Sequence, residues 1–360
     1  MDTLEKLWKI TKISPAVSTE NVGDYIIRKH CAAVIDDIFK DAYTVEIPTR
    51  ERLSALSMRH VNTSDFAFVC GTNLLASDMK NIKQWNITLH DVRRMRTVMI
   101  GKRDIIRPAV VKSKLEKMHV ILLGVGWHQY QNEPTAYTRR LLSTLLDAHY
   151  IHSVRDSYTA EKLKAIGMTN VVNTACPTMW PLSEAHCASI PHDKAKRVVT
   201  TLTNYNINAD YDRTMLRMLK KNYGHVFVWI QAVEDFAYLQ KLPEYIDGGI
   251  TAVPPTLAAY DMLLASGDID YVGTRLHGGI EALNHGRRSL VLAVDNRATE
   301  IGKDTNLPVM DRKSAVELIE ERINSSWATE IVLPNDNISL LEEPVCMMVM
   351  CAQRARGKYE

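Results

Sequence analysis

Short apolar or β-branched runs alternate with longer amphipathic stretches along almost the whole chain. Runs too short for a helix predict buried strands, and the stretches between them, with apolar positions at helical spacing, predict helices packed on a sheet. In the first half the pattern predicts strands at 7–13, 43–47, 65–70, 120–124 and 151–154, and helices at 22–39, 137–148 and 157–166. The rhythm breaks at 181–196, where two prolines and many polar residues interrupt the periodicity. It restarts with strands at 198–203, 225–230, 269–273 and 289–294, separated by helices at 210–222, 233–241, 278–284 and 314–324. This order predicts an α/β protein of two doubly wound, Rossmann-like domains facing a cleft. The domains are placed at 1–180 and 197–334, with a linker at 181–196 and a C-terminal packing segment and basic tail at 335–360. Within that last segment, 340–350 is apolar and rich in methionine, and reads as core filler.

Composition narrows the possibilities. The chain has 360 residues, 46% of them hydrophobic, enough to bury two cores. Its 44 basic and 42 acidic residues leave a formal net charge of +2, so nucleic acid is not expected as a partner and any charge recognition must be local. The six cysteines (Cys31, Cys70, Cys176, Cys187, Cys346 and Cys351) show neither a Cys-x-x-Cys pair nor zinc-ligand spacing, and read as reduced thiols. The N-terminal MDTLEKLWKITK lacks the apolar core of a signal peptide, and the longest apolar run, around 120–127, is too short to span a bilayer. A cytoplasmic protein is expected.

In open α/β sheets, ligands sit beyond the carboxyl ends of the strands. The segment DIDYVGTRLHGGIEALNHG, at 268–286, is a strand running into Arg275, Leu276 and His277, with Gly278 and Gly279 opening a helix. If the chain is still extended there, Arg275 and His277 share a face. The glycines would let backbone approach a ligand, and the helix N-terminus would favour an anion. The competing reading has His277 capping the helix or sitting in the core, and Arg275 paired with a carboxylate. A second strand ends in Ile-His-Ser-Val-Arg-Asp at 151–156 and places Arg155 at a carboxyl end. With both halves facing one cleft, Arg155 and Arg275 would hold opposite ends of a polyanion; otherwise Arg155 and Asp156 belong to structural ion pairing.

The succession of Glu20-Asn21-Val22-Gly23-Asp24, Cys70-Gly71-Thr72-Asn73, Gly124-Val125-Gly126, Ser153-Val154-Arg155-Asp156 and Arg275-Leu276-His277 resembles the polysaccharide pyruvyl transferase family over residues 15–310. The resemblance implies a fold like that of the two-domain GT-B glycosyltransferases. It also implies transfer of pyruvate from phosphoenolpyruvate, as a cyclic ketal, onto a sugar of a surface polysaccharide or its precursor, with the N-terminal domain as the acceptor side. Arg155 and Arg275 would bind the donor, with Gly278 and Gly279 beside them, and His277 would do acid/base work. Where the family frequently has a lysine after the next strand, this chain offers Arg297, with Lys303 further on. Its Cys70-Gly71-Thr72-Asn73 also departs from the glycine-rich Gly-Gly-Gly-Asn common in the family, which bears on how closely the backbone approaches a ligand.

The chemistry suits these residues. Phosphoenolpyruvate carries a carboxylate and a phosphate on three carbons, which guanidiniums bind through charge-assisted hydrogen bonds. An imidazole can protonate the methylene and later take up a hydroxyl proton. No step requires a metal ion, and the sequence displays no carboxylate cluster suited to magnesium, so no metal or other cofactor is expected.

Asn21, Asp24 and Asn73 either cap local structure or touch sugar hydroxyls. Trp127 offers either a face for a sugar ring or a packed wall. The basic stretch at 93–117 is either a solvated charged face or a peripheral contact with an anionic membrane surface, as a lipid-linked saccharide acceptor would require. An oligosaccharide or free sugar acceptor needs no such contact. Two other functions fit the same fold: a nucleotide-sugar glycosyltransferase, and a non-catalytic sugar- or phosphate-binding relative. Oligomeric state is not legible in the sequence.

Overall fold

The computed structural model describes residues 7–81, 85, 87–99 and 119–341. The expected Met-rich run and basic tail beyond Leu341 lie outside the described residues, as does the basic stretch from residue 100 to 118; Arg93 and Arg94 are exposed on the helix Leu89–Met99. Two compact units emerge, one from Met1–Ser18, Ile27–Pro177 and Pro334–Glu360, the other from Thr19–Ile26 and Thr178–Leu333.

In the first unit β1 (Lys9–Ser14), β2 (Tyr43–Pro48), β3 (Phe66–Cys70) and β4 (Val120–Leu123) form a parallel sheet in the order β2-β1-β3-β4. A parallel pair, β5 (His152–Val154) and β6 (Val171–Asn173), is tied to the end of β4 by a bridge between Val125 and Val154. Every residue of β3 and β4 is buried, which demands cover on both faces and explains why these strands read as continuous apolar runs. Phe66 and Phe68 point to one side and pack on Phe39 at ring-centroid distances of 5.3 and 5.9 Å. Ala67 and Val69 join the cluster of Met58, Val61 and Leu142.

The second unit is a six-stranded parallel sheet. Its strands are β7 (Arg197–Thr200), β8 (His225–Trp229), β9 (Ile250–Val253), β10 (Ile269–Gly273), β11 (Ser289–Ala293) and β12 (Val309–Asp311). They lie in the order β12-β11-β10-β7-β8-β9, so the winding reverses between β7 and β10. At such a switch point the loops leaving the two strands diverge and open a crevice at their carboxyl ends. Val198, Val226, Val228, Val272, Leu290 and Leu292 carry the core.

Three strands, β6, β9 and β12, go beyond the predicted set. Each is an edge strand of three or four residues, and β9 and β12 show only partial burial, too little for an apolar run. The helices Ala55–Thr63, Leu89–Met99, Leu257–Ala265 and Asn296–Thr305 are likewise additional. Residues 181–196, read above as a linker, instead carry the short helix Glu184–Ala188 with Cys187 and Ile190 buried, and His186 Nε2 lies 2.7 Å from the Leu283 carbonyl. Among the described residues no helix is long and apolar enough to cross a membrane.

Candidate active site

At the switch point of the second unit, the loops leaving β7 and β10 are stitched together. Leaving β10, Thr274 donates from Oγ1 to the Thr201 carbonyl at 3.0 Å, and its Oγ1 lies 2.7 Å from Thr203 Oγ1 in the loop that leaves β7. The next residue, Arg275, donates its backbone N–H towards Thr201 Oγ1 and the Tyr271 hydroxyl, at 3.1 and 3.2 Å. These bonds fix the backbone of Arg275 at the switch point.

The guanidinium of Arg275 is buried and oriented from three sides. Nε donates to the Leu202 carbonyl at 3.0 Å, Nη2 to Asn204 Oδ1 at 3.2 Å, and Nη2 also lies 2.9 and 2.7 Å from the two carboxylate oxygens of Asp235. The carboxylate-paired reading of Arg275 is therefore the arrangement found. Asp235 comes from the helix Val233–Leu239 after β8, 40 positions away in sequence, and nothing local to the Arg-Leu-His motif announces it.

Arg297 enters the same neighbourhood from β11. Asp295 caps the helix Asn296–Thr305 by accepting from the Arg297 N–H at 3.0 Å, and takes Arg297 Nε at 3.0 Å from each oxygen. Tyr205, in the 3-10 turn Asn204–Asn206 after β7, joins the two arginines: Arg275 Cζ lies 4.9 Å and Arg297 Cζ 5.7 Å from its ring centroid, and its hydroxyl bonds Arg297 Nη2. Tyr205 is absent from the sequence-level candidates because it lies in a polar turn, 70 and 92 residues from its partners.

His277 does not share an extended face with Arg275. The helix begins at Leu276, with Arg275 as its N-cap, so His277 sits in the first turn, where residues two apart do not face each other. It is 8% exposed. Arginine has no acceptor, and this N-terminus has no side-chain cap.

The glycines serve packing rather than ligand approach. A Cβ on Gly279 would stand 2.6 Å from Val291 Cγ2, and one on Gly278 would press on Tyr271 and Gln231 at 3.3 Å. Their absent side chains let the helix lie close on β10 and β11.

Asn21 and Asp24 belong to this unit and do local work. Asn21 Oδ1 accepts from the Gly23 N–H at 3.2 Å, and Asp24 accepts from Thr19 Oγ1 at 2.7 Å, at the start of the helix Gly23–Ile38. Asn21 thus accepts a backbone N–H where the helix begins, whereas Asp24 ties its carboxylate to the preceding loop. The Val22 N–H donates to the Gln231 carbonyl at 2.9 Å.

In the first unit, Arg155 and Asn73 are brought together. Arg155 Nη2 donates to Asn73 Oδ1 at 2.7 Å, Nε lies 3.3 Å from Asp156 Oδ2, and Asn73 Nδ2 lies 3.2 Å from His128 Nδ1. Asp156 also caps the helix Ser157–Ala165, accepting from the Thr159 N–H at 2.7 Å. Gly126 makes room for the guanidinium: a Cβ there would stand 2.2 Å from Arg155 Cζ. The glycines of Gly124-Val125-Gly126 thus meet protein, Gly124 lying against Pro177.

Gly71 and Thr72 both adopt left-handed backbone, with φ of 55° and 63°. A β-branched residue is strained in that region, so Thr72 is the costly member where the family pattern has glycine. Trp127 offers no face to a sugar. It is 0% exposed, one wall of the core, with its backbone N–H donating to Thr159 Oγ1 at 2.8 Å.

Among the described residues, one group has residue types able to hold a metal ion. Asp261, Glu281 and His285 have ligand atoms within 4.8 Å of one another. In the structure they pair among themselves, with His285 Nε2 3.2 Å from Asp261 Oδ1 and 3.7 Å from Glu281 Oε1.

The second unit is a parallel α/β fold of the nucleotide- and sugar-handling kind in outline, and at its strand ends it presents two guanidiniums, a histidine and a helix N-terminus without a side-chain cap, groups whose charge suits an anion. The family model for polysaccharide pyruvyl transferase matches residues 21–296. The chain belongs to the polysaccharide pyruvyl transferase family and is a transferase of polysaccharide biosynthesis, with a sugar or polysaccharide as acceptor. No curated protein sequence matches it. Among solved structures it is similar to the Methanocaldococcus jannaschii UDP-GlcNAc 2-epimerase in complex with UDP-GlcNAc and UDP. That match has a TM-score of 0.51 at 11% identity, over 95% of this chain and 99% of that one. It is also similar to S. aureus MnaA with UDP, with a TM-score of 0.50 at 15% identity, over 90% and 92% of the respective chains. At these identities the likeness is one of fold, and the fold is GT-B-like, as the resemblance implies.

Proposed function

We propose that the chain transfers pyruvate from phosphoenolpyruvate onto two hydroxyls of a sugar, forming a cyclic ketal and releasing phosphate. The observation that carries this reading is the convergence of Arg275 and Arg297 on Tyr205 at the carboxyl ends of β7, β10 and β11, beside the helix that bears His277. Asp235, Asn204 and the Leu202 carbonyl engage Nε and Nη2 of Arg275, and the incoming anion meets Nη1. Arg297 receives the other acidic end, and the first turn of the helix Leu276–Asn284 adds N–H groups. In the first unit the proposal keeps Arg155, held by Asn73, as a residue for an anionic substrate group.

His277 delivers a proton to the methylene carbon of the enol phosphate, which becomes the methyl group. Positive character builds on the central carbon, and a sugar hydroxyl adds there while its proton is taken up. Phosphate departs with the C–O bonding pair, and the second hydroxyl closes the ring and gives up its proton. One proton is consumed and two are released, of which one returns to His277 and the other leaves with phosphate or water. The acid/base demand falls on one imidazole, and no metal ion enters the scheme.

The fold would equally serve a nucleotide-sugar enzyme, as it does in the UDP-GlcNAc 2-epimerases, so donor competition is the decisive test. Phosphoenolpyruvate should raise the melting temperature of the protein. Arg275→Ala should abolish that shift and His277→Ala should retain it while losing turnover. A protein stabilised by UDP and indifferent to phosphoenolpyruvate would be a nucleotide-sugar enzyme instead.

A further inference from the structure

We propose that Tyr205 is a positioning residue that sets the spacing of the Arg275 and Arg297 guanidiniums, and so selects ligands with two acidic ends over those with one. The proposal rests on the donor reading above. One aromatic ring serves both cations, lying 4.9 Å from Arg275 Cζ and 5.7 Å from Arg297 Cζ, while its hydroxyl bonds Arg297 Nη2. Two cations repel, and the electron-rich ring that both approach offsets that repulsion.

The turn that carries Tyr205 is fastened on both sides. The Asn204 N–H donates to Asp235 Oδ1 at 3.0 Å, and Asn206 Nδ2 donates to the Val294 carbonyl at 3.1 Å. Arg312 Nη1 reaches the Asn206 carbonyl at 2.5 Å. The turn is therefore held between the loop after β8 and the loop after β11, yet Tyr205 stays 55% exposed. A tyrosine that only filled core would be buried; this one is braced by its backbone and open at its ring. Each arginine also has its own carboxylate, Asp235 or Asp295, which fixes one edge of each guanidinium. What Tyr205 adds is the relation between them.

Phosphoenolpyruvate has a carboxylate and a phosphate; inorganic phosphate has one such end. The test measures thermal stabilisation of the full chain by each, at equal concentrations, in the unmodified protein and in Tyr205→Phe, Tyr205→Ala and Arg275→Ala. The unmodified protein should prefer phosphoenolpyruvate. Tyr205→Phe keeps the ring but releases Arg297, and should lose part of the preference. Tyr205→Ala should weaken phosphoenolpyruvate about tenfold, as expected for losing two cation–π contacts, and bring it to the level of phosphate.

If both Tyr205 variants keep the full preference while Arg275→Ala loses it, the role of Tyr205 is overturned and the donor reading stands. Failure of phosphoenolpyruvate to stabilise the unmodified protein would overturn both. Should Tyr205→Ala fold poorly, the partial loss in Tyr205→Phe decides, and its absence counts against the proposal.

Discussion

Arg275 and Asp235 form a buried ion pair in which one guanidinium nitrogen lies 2.9 and 2.7 Å from the two carboxylate oxygens. Their side chains are 7% and 2% exposed. Removing one partner leaves a buried charge without its counterion, so Asp235→Ala should destabilise the protein by about 3 kcal/mol. Asp235→Asn, which retains an acceptor, should cost less. Urea unfolding of the three proteins checks this, and coincident midpoints for Asp235→Ala and the unmodified protein would count against a strong pair.

Gly126 lies where any side chain would strike Arg155, at 2.2 Å from Cζ. Gly126→Ala should therefore displace the guanidinium and break its bond to Asn73 without removing a charge. Both Gly126→Ala and Arg155→Ala should lower the urea unfolding midpoint, and an unchanged midpoint for Gly126→Ala would show that the guanidinium is not fixed at this glycine.

Gly279 separates the packing role of the glycine pair from a ligand role. An added Cβ would approach Val291 Cγ2 to 2.6 Å, so Gly279→Ala should lower stability by about 1–3 kcal/mol in the absence of any ligand. An unchanged melting temperature with lost phosphoenolpyruvate binding would return this residue to the binding surface.

His152 opens β5 and is fully buried, its Nδ1 accepting from the Leu122 N–H of β4 at 3.2 Å and Nε2 lying 2.7 Å from the Asp147 carbonyl. Burial outweighs that carbonyl and pushes its pKa from 6.5 down to about 4. Between those values the unfolded chain takes up a proton that the folded protein refuses. The contribution is thus complete above about pH 6.5 and is lost as the pH falls towards 4, amounting to about 3 kcal/mol at most. Urea midpoints at pH 7.5 and 4.5 should differ more for the unmodified protein than for His152→Gln. Equal differences would show that His152 is not responsible.

The sequence by itself determined the α/β class, the central strands and the placement of Arg155, Arg275 and Arg297 near strand ends. These are local properties: β3 and β10 are buried on both faces, so their apolar runs are continuous whatever surrounds them. The edge strands β6, β9 and β12 were not legible, because a short strand with a partly exposed face leaves no run to read.

The tertiary structure alone decided what each candidate touches. Trp127 became core and Gly126 became the seat of Arg155, because β4 and β5 carry their ends against each other. His277 turned away from an extended face because its helix starts at Leu276, two residues earlier than the glycines suggested. Asp235 and Tyr205 entered the site from the segments after β8 and β7, across the switch point from the β10 and β11 ends that carry Arg275 and Arg297. Pairings across 40 and 70 residues are set by strand order, a relation that no local pattern of hydrophobic and polar positions encodes.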